Sequence, residues 1–232
     1  MKWLLIINVG VFVLSYLAAG TRYLELIFSQ LALVPADVIY HFEIWQLFTY
    51  LFLHGGIWHL LVNMFTLWMF GITLEREWGT RRFLKYYFIC GVGAGICAVI
   101  VNAIISHWSP NALITPTIGA SGAIYGLLLA FGVLYPNSTV LFSFLFPIKA
   151  KYFVMIYGAI ALLGAMRINT GVSNIAHLGG MIFGFVYLKM RFPKLELAGV
   201  QRAYRNWKLQ RAKKKFQVYL RKHGSDRDRW VN

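Results

Sequence analysis

Residues 119–135 read GASGAIYGLLLAFGVLY, seventeen consecutive positions without a formal charge. As a helix rising 1.5 Å per residue, the run is about 25 Å long, close to the thickness of a bilayer's hydrocarbon core. Gly122, Gly126 and Ala130 recur every fourth residue, so one face of that helix is made of small residues and lets a neighbouring backbone come close. Directly before that stripe stands Ser121, a hydroxyl that a lipid-facing span would exclude.

Working outward, five more apolar blocks can be drawn, at about residues 3–19, 56–74, 83–105, 147–166 and 172–190. In a chain of 232 residues that is 59% hydrophobic and only 13% charged, this pattern excludes an ordinary soluble domain. The expected fold class is an all-α membrane protein, a bundle of six transmembrane helices. A transmembrane barrel would show short alternating segments instead. Lys2 followed by an apolar run ending Leu17-Ala18-Ala19-Gly20 also has the look of a secretory signal peptide. The run is long for that, and its removal would leave five spans with the chain ends on opposite sides.

The net charge of +15 is unevenly placed. Residues 189–232 hold fourteen Lys and Arg against three acids, so a basic tail over 192–232 follows a membrane domain over 1–191. Arg76, Arg81, Arg82 and Lys85 lie between the second and third blocks, and Lys149 and Lys151 follow the fourth, whereas the opposite loops offer only Arg22 and Arg167. The positive-inside rule then puts both termini in the cytoplasm. Tyr204, Trp207, Phe216 and Tyr219 interleave with lysines and arginines in the tail, which suits an anchor on anionic lipid better than a nucleic-acid site. Cys90 and Cys97, ~10 Å apart along one helix, are too far apart for a disulfide and are read as packing residues. The connection over 20–55 mixes Phe42, Trp45, Tyr50 and Phe52 with Glu43, Gln46 and His54, the composition of a half-buried loop at the outer interface.

Polar residues inside spans are costly, and a lone serine or asparagine there usually serves helix packing, so the joint pattern is what points to function. His59 and Asn63 share one face of the second block, Ser121 opens the fourth, and His177 lies early in the sixth, three residues before Gly180. With the topology read from charge, these helices run inward from the outer face. Their four polar residues therefore fall within one layer, roughly 3 to 12 Å below the helix starts. Gly180 and Gly184 give the sixth helix a small-residue stripe to meet the one on the fourth, which would bring His177 within reach of Ser121. A serine hydroxyl needs a base to attack a carbonyl, and His177 is the one at hand; no carboxylate sits at that depth to complete a triad. His59, Asn63 and the free N–H groups at the start of the fourth helix could hold the oxyanion. A polar cavity, open to the outside and closed below, is expected around them. His54 and His59, five apart, were they both helical, would point to different faces, and no H-E-x-x-H occurs, so no metal is expected. Ala123 breaks the G-x-S-x-G elbow of soluble hydrolases.

The combination His59-x-x-x-Asn63, Gly119-Ala120-Ser121-Gly122 and Ala176-His177-x-x-Gly180 resembles the rhomboid family of intramembrane serine proteases over about residues 42–190. Glu75-Arg76 with Gly79, Tyr125 and Gly184 belong to the same likeness. It implies a six-helix core with an interfacial first loop, and cleavage of transmembrane protein substrates near the outer membrane surface without a cofactor. It further implies that Tyr125 packs on His177. A bacterial-type plasma membrane is the expected location. Where many members have Trp-Arg in the first loop, this chain has Trp45-Gln46, a departure that bears on loop stability. Two other classes compete with this reading: a non-catalytic relative that captures transmembrane helices, which would lack the serine or histidine, and a transporter with His177 as proton relay.

Overall fold

The computed structural model describes residues 1–18, 20–142, 146–166 and 171–191 and, in the tail, 209, 211–214 and 216–217. The chain divides into two compact units, residues 1–188 and 189–232, and the account below concerns the first. Six helices of fourteen residues or more run through the described residues: α1 (Lys2–Ala18), α5 (Ile57–Trp78), α6 (Thr80–Ile105), α7 (Ser121–Leu134), α8 (Ala150–Ala165) and α9 (Gly171–Arg191). Each falls on one of the six apolar blocks. By length and composition α5 and α6 are each sufficient to cross a membrane, while α1, α7 and α8 are shorter apolar helices.

Burial is arranged around α7. None of its fourteen residues is exposed, as expected of a helix that is apolar on all sides and enclosed by others. The other long helices instead turn large apolar side chains outward: Trp3 on α1, Trp58 on α5, Ile104 on α6, Leu163 on α8 and Ile182 on α9 are all more than half exposed. Water would not tolerate such a surface on every outer helix; lipid does.

Glycines set the closest approaches. The carbonyl oxygen of Gly122 occupies the place where a Cβ on Gly180 would be, so α7 and α9 touch backbone to backbone. On the other side of α7, a Cβ on Gly126 would strike the Cys90 sulfur of α6, and the Tyr86 hydroxyl donates to the Gly126 carbonyl at 2.7 Å. Gly184 is crowded by the same Tyr86 hydroxyl. Between α5 and α6 only Gly79 intervenes, with φ of +76°, a left-handed conformation that glycine adopts without strain.

Two connections depart from the sequence-based expectation. The stretch from 20 to 55 is not simply a loop: it forms α2 (Arg22–Ser29), α3 (Pro35–Tyr40), α4 (Gln46–Thr49) and a 3-10 turn at Tyr50–Phe52. These pieces are too short to show a helical period among mixed aromatic and polar residues. They are tied to the segment before α7 by an antiparallel bridge, in which the N–H groups of Leu33 and Thr117 each donate to the other's carbonyl at 3.0 and 2.8 Å. The fifth apolar block, drawn from 147, begins instead as a strand. β1 (Thr139–Phe142) pairs antiparallel with β2 (Phe146–Lys149), and the helix starts only at Ala150. Pro147 pushes Phe146 away from helical angles, and hydropathy alone cannot separate a short strand from the first turn of a helix.

Gln46 repays a close look. It is fully buried; its Oε1 accepts from the Val34 N–H at 2.8 Å and its Nε2 donates to Glu43 Oε2 at 2.6 Å. The Trp45 indole donates to the Gln30 carbonyl and the Thr49 hydroxyl to the Leu31 carbonyl. At a position where an arginine would bring a buried charge, this chain closes the loop with a neutral amide whose donor and acceptor ends are both used.

Candidate active site

Ser121 is the first residue of α7, and the turn that delivers it is built around Gly119. Gly119 has φ of +117°, which strains any residue with a side chain. Space would forbid one as well, because its Cβ would lie 2.8 Å from His59 Nε2. The Gly119 N–H donates to the Tyr50 carbonyl at 2.8 Å, and the buried Tyr50 hydroxyl donates in turn to the Gly91 carbonyl of α6 at 2.7 Å. Tyr50 thus moors the serine turn to α6. Sequence reasoning treated it as one aromatic among several in the first connection; only its backbone partner reveals the role.

Across the α7–α9 contact, His177 Nε2 lies 2.8 Å from Ser121 Oγ, although the residues are 56 apart in the chain. With the imidazole proton on Nδ1, the serine hydroxyl donates to Nε2. Nδ1 itself is buried with no protein partner, so orientation of the ring comes from packing. Tyr125, one turn beyond Ser121, supplies it: the two rings stack with centroids 4.1 Å apart and planes within 5°.

His59 accepts the Gly55 N–H at Nδ1, at 3.3 Å, which leaves Nε2 as the N–H donor beside Gly119. Asn63 is buried and spends one amide N–H on the His59 carbonyl of its own helix at 2.8 Å, keeping the second. The N–H groups of the first turn of α7 have no carbonyl above them in the helix, and the positive end of its dipole points to the same place. His54 does not sit on α5 with His59. It lies in the preceding loop, 7% exposed, with its ring edge-on to that of His59 at 5.0 Å, so the reasoning that separated them by helix faces fails.

These groups line a cavity of about 570 Å³ between α5, α7 and α8. Ser121, His177, His59 and Asn63 gather polar groups at one end, Thr66, Tyr125 and Tyr157 also line it, and Phe65, Met69, Leu128 and Phe153 carry an apolar wall onward. The expectation of a polar cavity is corrected: away from the serine its walls are mainly apolar, because they come from helix faces that are apolar throughout. Phe70 of α5 meets Phe131 of α7 and Phe153 of α8 with ring centroids at 5.0 and 5.7 Å. Among the described residues no cluster of three metal-ligating side chains occurs.

Fold and site define a helical membrane protein with a serine–histidine pair on the wall of an apolar cavity. A family profile described as the Rhomboid domain matches residues 41–194, and the chain belongs to the rhomboid family. RHOMBOID-like protein 1 of Arabidopsis thaliana is 36% identical over 157 residues, 67% of this chain and 36% of that protein. Rhomboid protein 1, mitochondrial, of Saccharomyces cerevisiae is 32% identical over 162 residues, 64% of this chain and 44% of its own length. Rhomboid protease GluP of Bacillus subtilis is 36% identical over 143 residues, 62% of this chain and 25% of that protein. The chain therefore spans less than half the length of each of these curated relatives.

Proposed function

We propose that this chain is an intramembrane serine endopeptidase that hydrolyses peptide bonds of transmembrane proteins near the outer membrane surface. Ser121 Oγ attacks the scissile carbonyl carbon while His177 Nε2 takes its proton. His59 Nε2–H, the free Asn63 N–H and the first-turn amides of α7 hold the oxyanion. His177 then gives its proton to the departing amine, leaving an acyl ester on Ser121. Water, deprotonated by His177, hydrolyses that ester and restores both side chains. These steps call on no cofactor. Gly119, Gly122, Gly180 and Gly184 serve by letting helices approach, and Tyr125 by holding the imidazole flat.

In this reading residues 1–191 form six membrane spans, the first connection lies at the outer interface, and the basic segment 192–232 is a cytoplasmic tail on anionic lipid. A bacterial plasma membrane with both termini inside fits the distribution of Lys and Arg. The observation that carries the reading is the 2.8 Å separation of Ser121 Oγ and His177 Nε2 at the wall of a cavity long enough for a peptide segment. The test is reconstitution with a library of single-span proteins and mapping of fragments by mass spectrometry. Fragments that vanish in Ser121→Ala and His177→Ala support it. Fragments that persist in both overturn the site, and folded wild-type protein that yields none favours a helix-capturing relative instead.

A further inference from the structure

The cavity that begins at Ser121 does not end on the helices. Its lining includes Leu141, on β1 of the hairpin between α7 and α8. On α7 the lining reaches Leu128, and on α5 it runs from Trp58 to Phe70, twelve residues or about 18 Å at 1.5 Å per residue. Leu141 pairs with Pro147 in the hairpin register, and Phe153, in the first turn of α8, lines the same cavity. Leu141 is 52% exposed, an apolar side chain with half its surface uncovered on the wall of a mainly apolar passage.

We propose that Leu141 is a specificity residue: it receives an apolar side chain of the substrate's span about 11 residues inward of the cut bond, the interval on α5 from His59, beside the serine turn, to Phe70, where the lining ends. The occupant is the substrate itself, because Leu141 shares one continuous cavity with the nucleophile. This rests on the protease reading above. The hairpin then acts as a gauge at the far end of the site, favouring spans that remain apolar to that depth and releasing those that turn polar or break off earlier.

The direct test is photocrosslinking in the full chain carrying Ser121→Ala, with Leu141→p-benzoylphenylalanine and a single-span substrate. The expected adduct falls about 8–14 residues inward of the cut position. Adducts scattered along the span, or none, overturn the proposal. Wild-type protein that cuts nothing defeats the protease reading and this proposal with it, whereas cleavage with a misplaced adduct defeats this proposal alone. A kinetic cycle complements it. Leu141→Ala is expected to raise KM about tenfold for a substrate with leucines in that window. For a substrate with alanines there, the two enzymes should agree within about twofold, as a lost pairwise contact requires. Equal losses on both substrates would mark Leu141 as a merely structural residue and sink the assignment.

Discussion

The carbonyl oxygen of Gly122 lies where a Cβ on Gly180 would have to go, so the helix bearing the nucleophile and the helix bearing the base are in backbone contact beside the Ser121–His177 pair. A single methyl group at Gly180 must therefore push α9 away from α7. Gly180→Ala is expected to lower stability by about 1–3 kcal/mol, the usual cost of overpacking. Cleavage should fall by more than about tenfold, because widening the contact lengthens a hydrogen bond already at its working distance. Thermal unfolding in detergent alongside a gel-based cleavage assay checks both; unchanged activity would show that the helices can separate without parting the pair.

Gly119 couples the backbone to His59. Gly119→Ala places a side chain at a left-handed φ and against the His59 ring, so it is expected to displace the donor as well as strain the turn. If His59 stabilises the oxyanion, His59→Ala lowers kcat by about 10²–10³, the loss typical of one such donor. Gly119→Ala should approach that value, and the double variant should lose little more than the worse single one. Full additivity of the two losses would mean that Gly119 acts independently of His59. Single-turnover kinetics on a fluorogenic substrate supplies the measurement.

Gln46 is expected to matter for folding more than for chemistry. Gln46→Ala leaves the half-buried Val34 N–H without its partner and takes one donor from the Glu43 carboxylate, at about 1–3 kcal/mol for an unsatisfied group. The melting temperature should fall while kcat, measured well below the transition, stays within about threefold of wild type. A large loss of kcat at full folding would place the first connection within the catalytic machinery.

What could be read in advance follows from the strength of each local signal. Long uncharged runs make the helices legible, and two stripes of small residues at four-residue spacing, Gly122-Gly126-Ala130 and Gly180-Gly184, point to Ser121 beside His177. The short helices of the first connection were hidden because pieces of four to eight residues carry too few turns for a period. The hairpin was hidden because Phe146-Pro147-Ile148 is as apolar as the helix it precedes. Tyr50 escaped notice for a different reason: its contribution is a main-chain carbonyl, which every residue has, and only tertiary placement next to Gly119 makes it matter. His54 was misjudged by applying helical spacing to a residue of the connection, where backbone geometry other than a helix brings its ring to that of His59.

Covalent labelling with a fluorophosphonate tests the central claim most directly, since it asks only whether the hydroxyl at 121 is made nucleophilic by the imidazole at 177. Detergent-folded wild-type protein is predicted to take up the probe at Ser121. Ser121→Ala should take up none, and His177→Ala should react at least about a hundredfold more slowly, within the range for loss of a general base. Labelling that survives Ser121→Ala at full stoichiometry, or a folded wild-type protein that never reacts, would contradict the account.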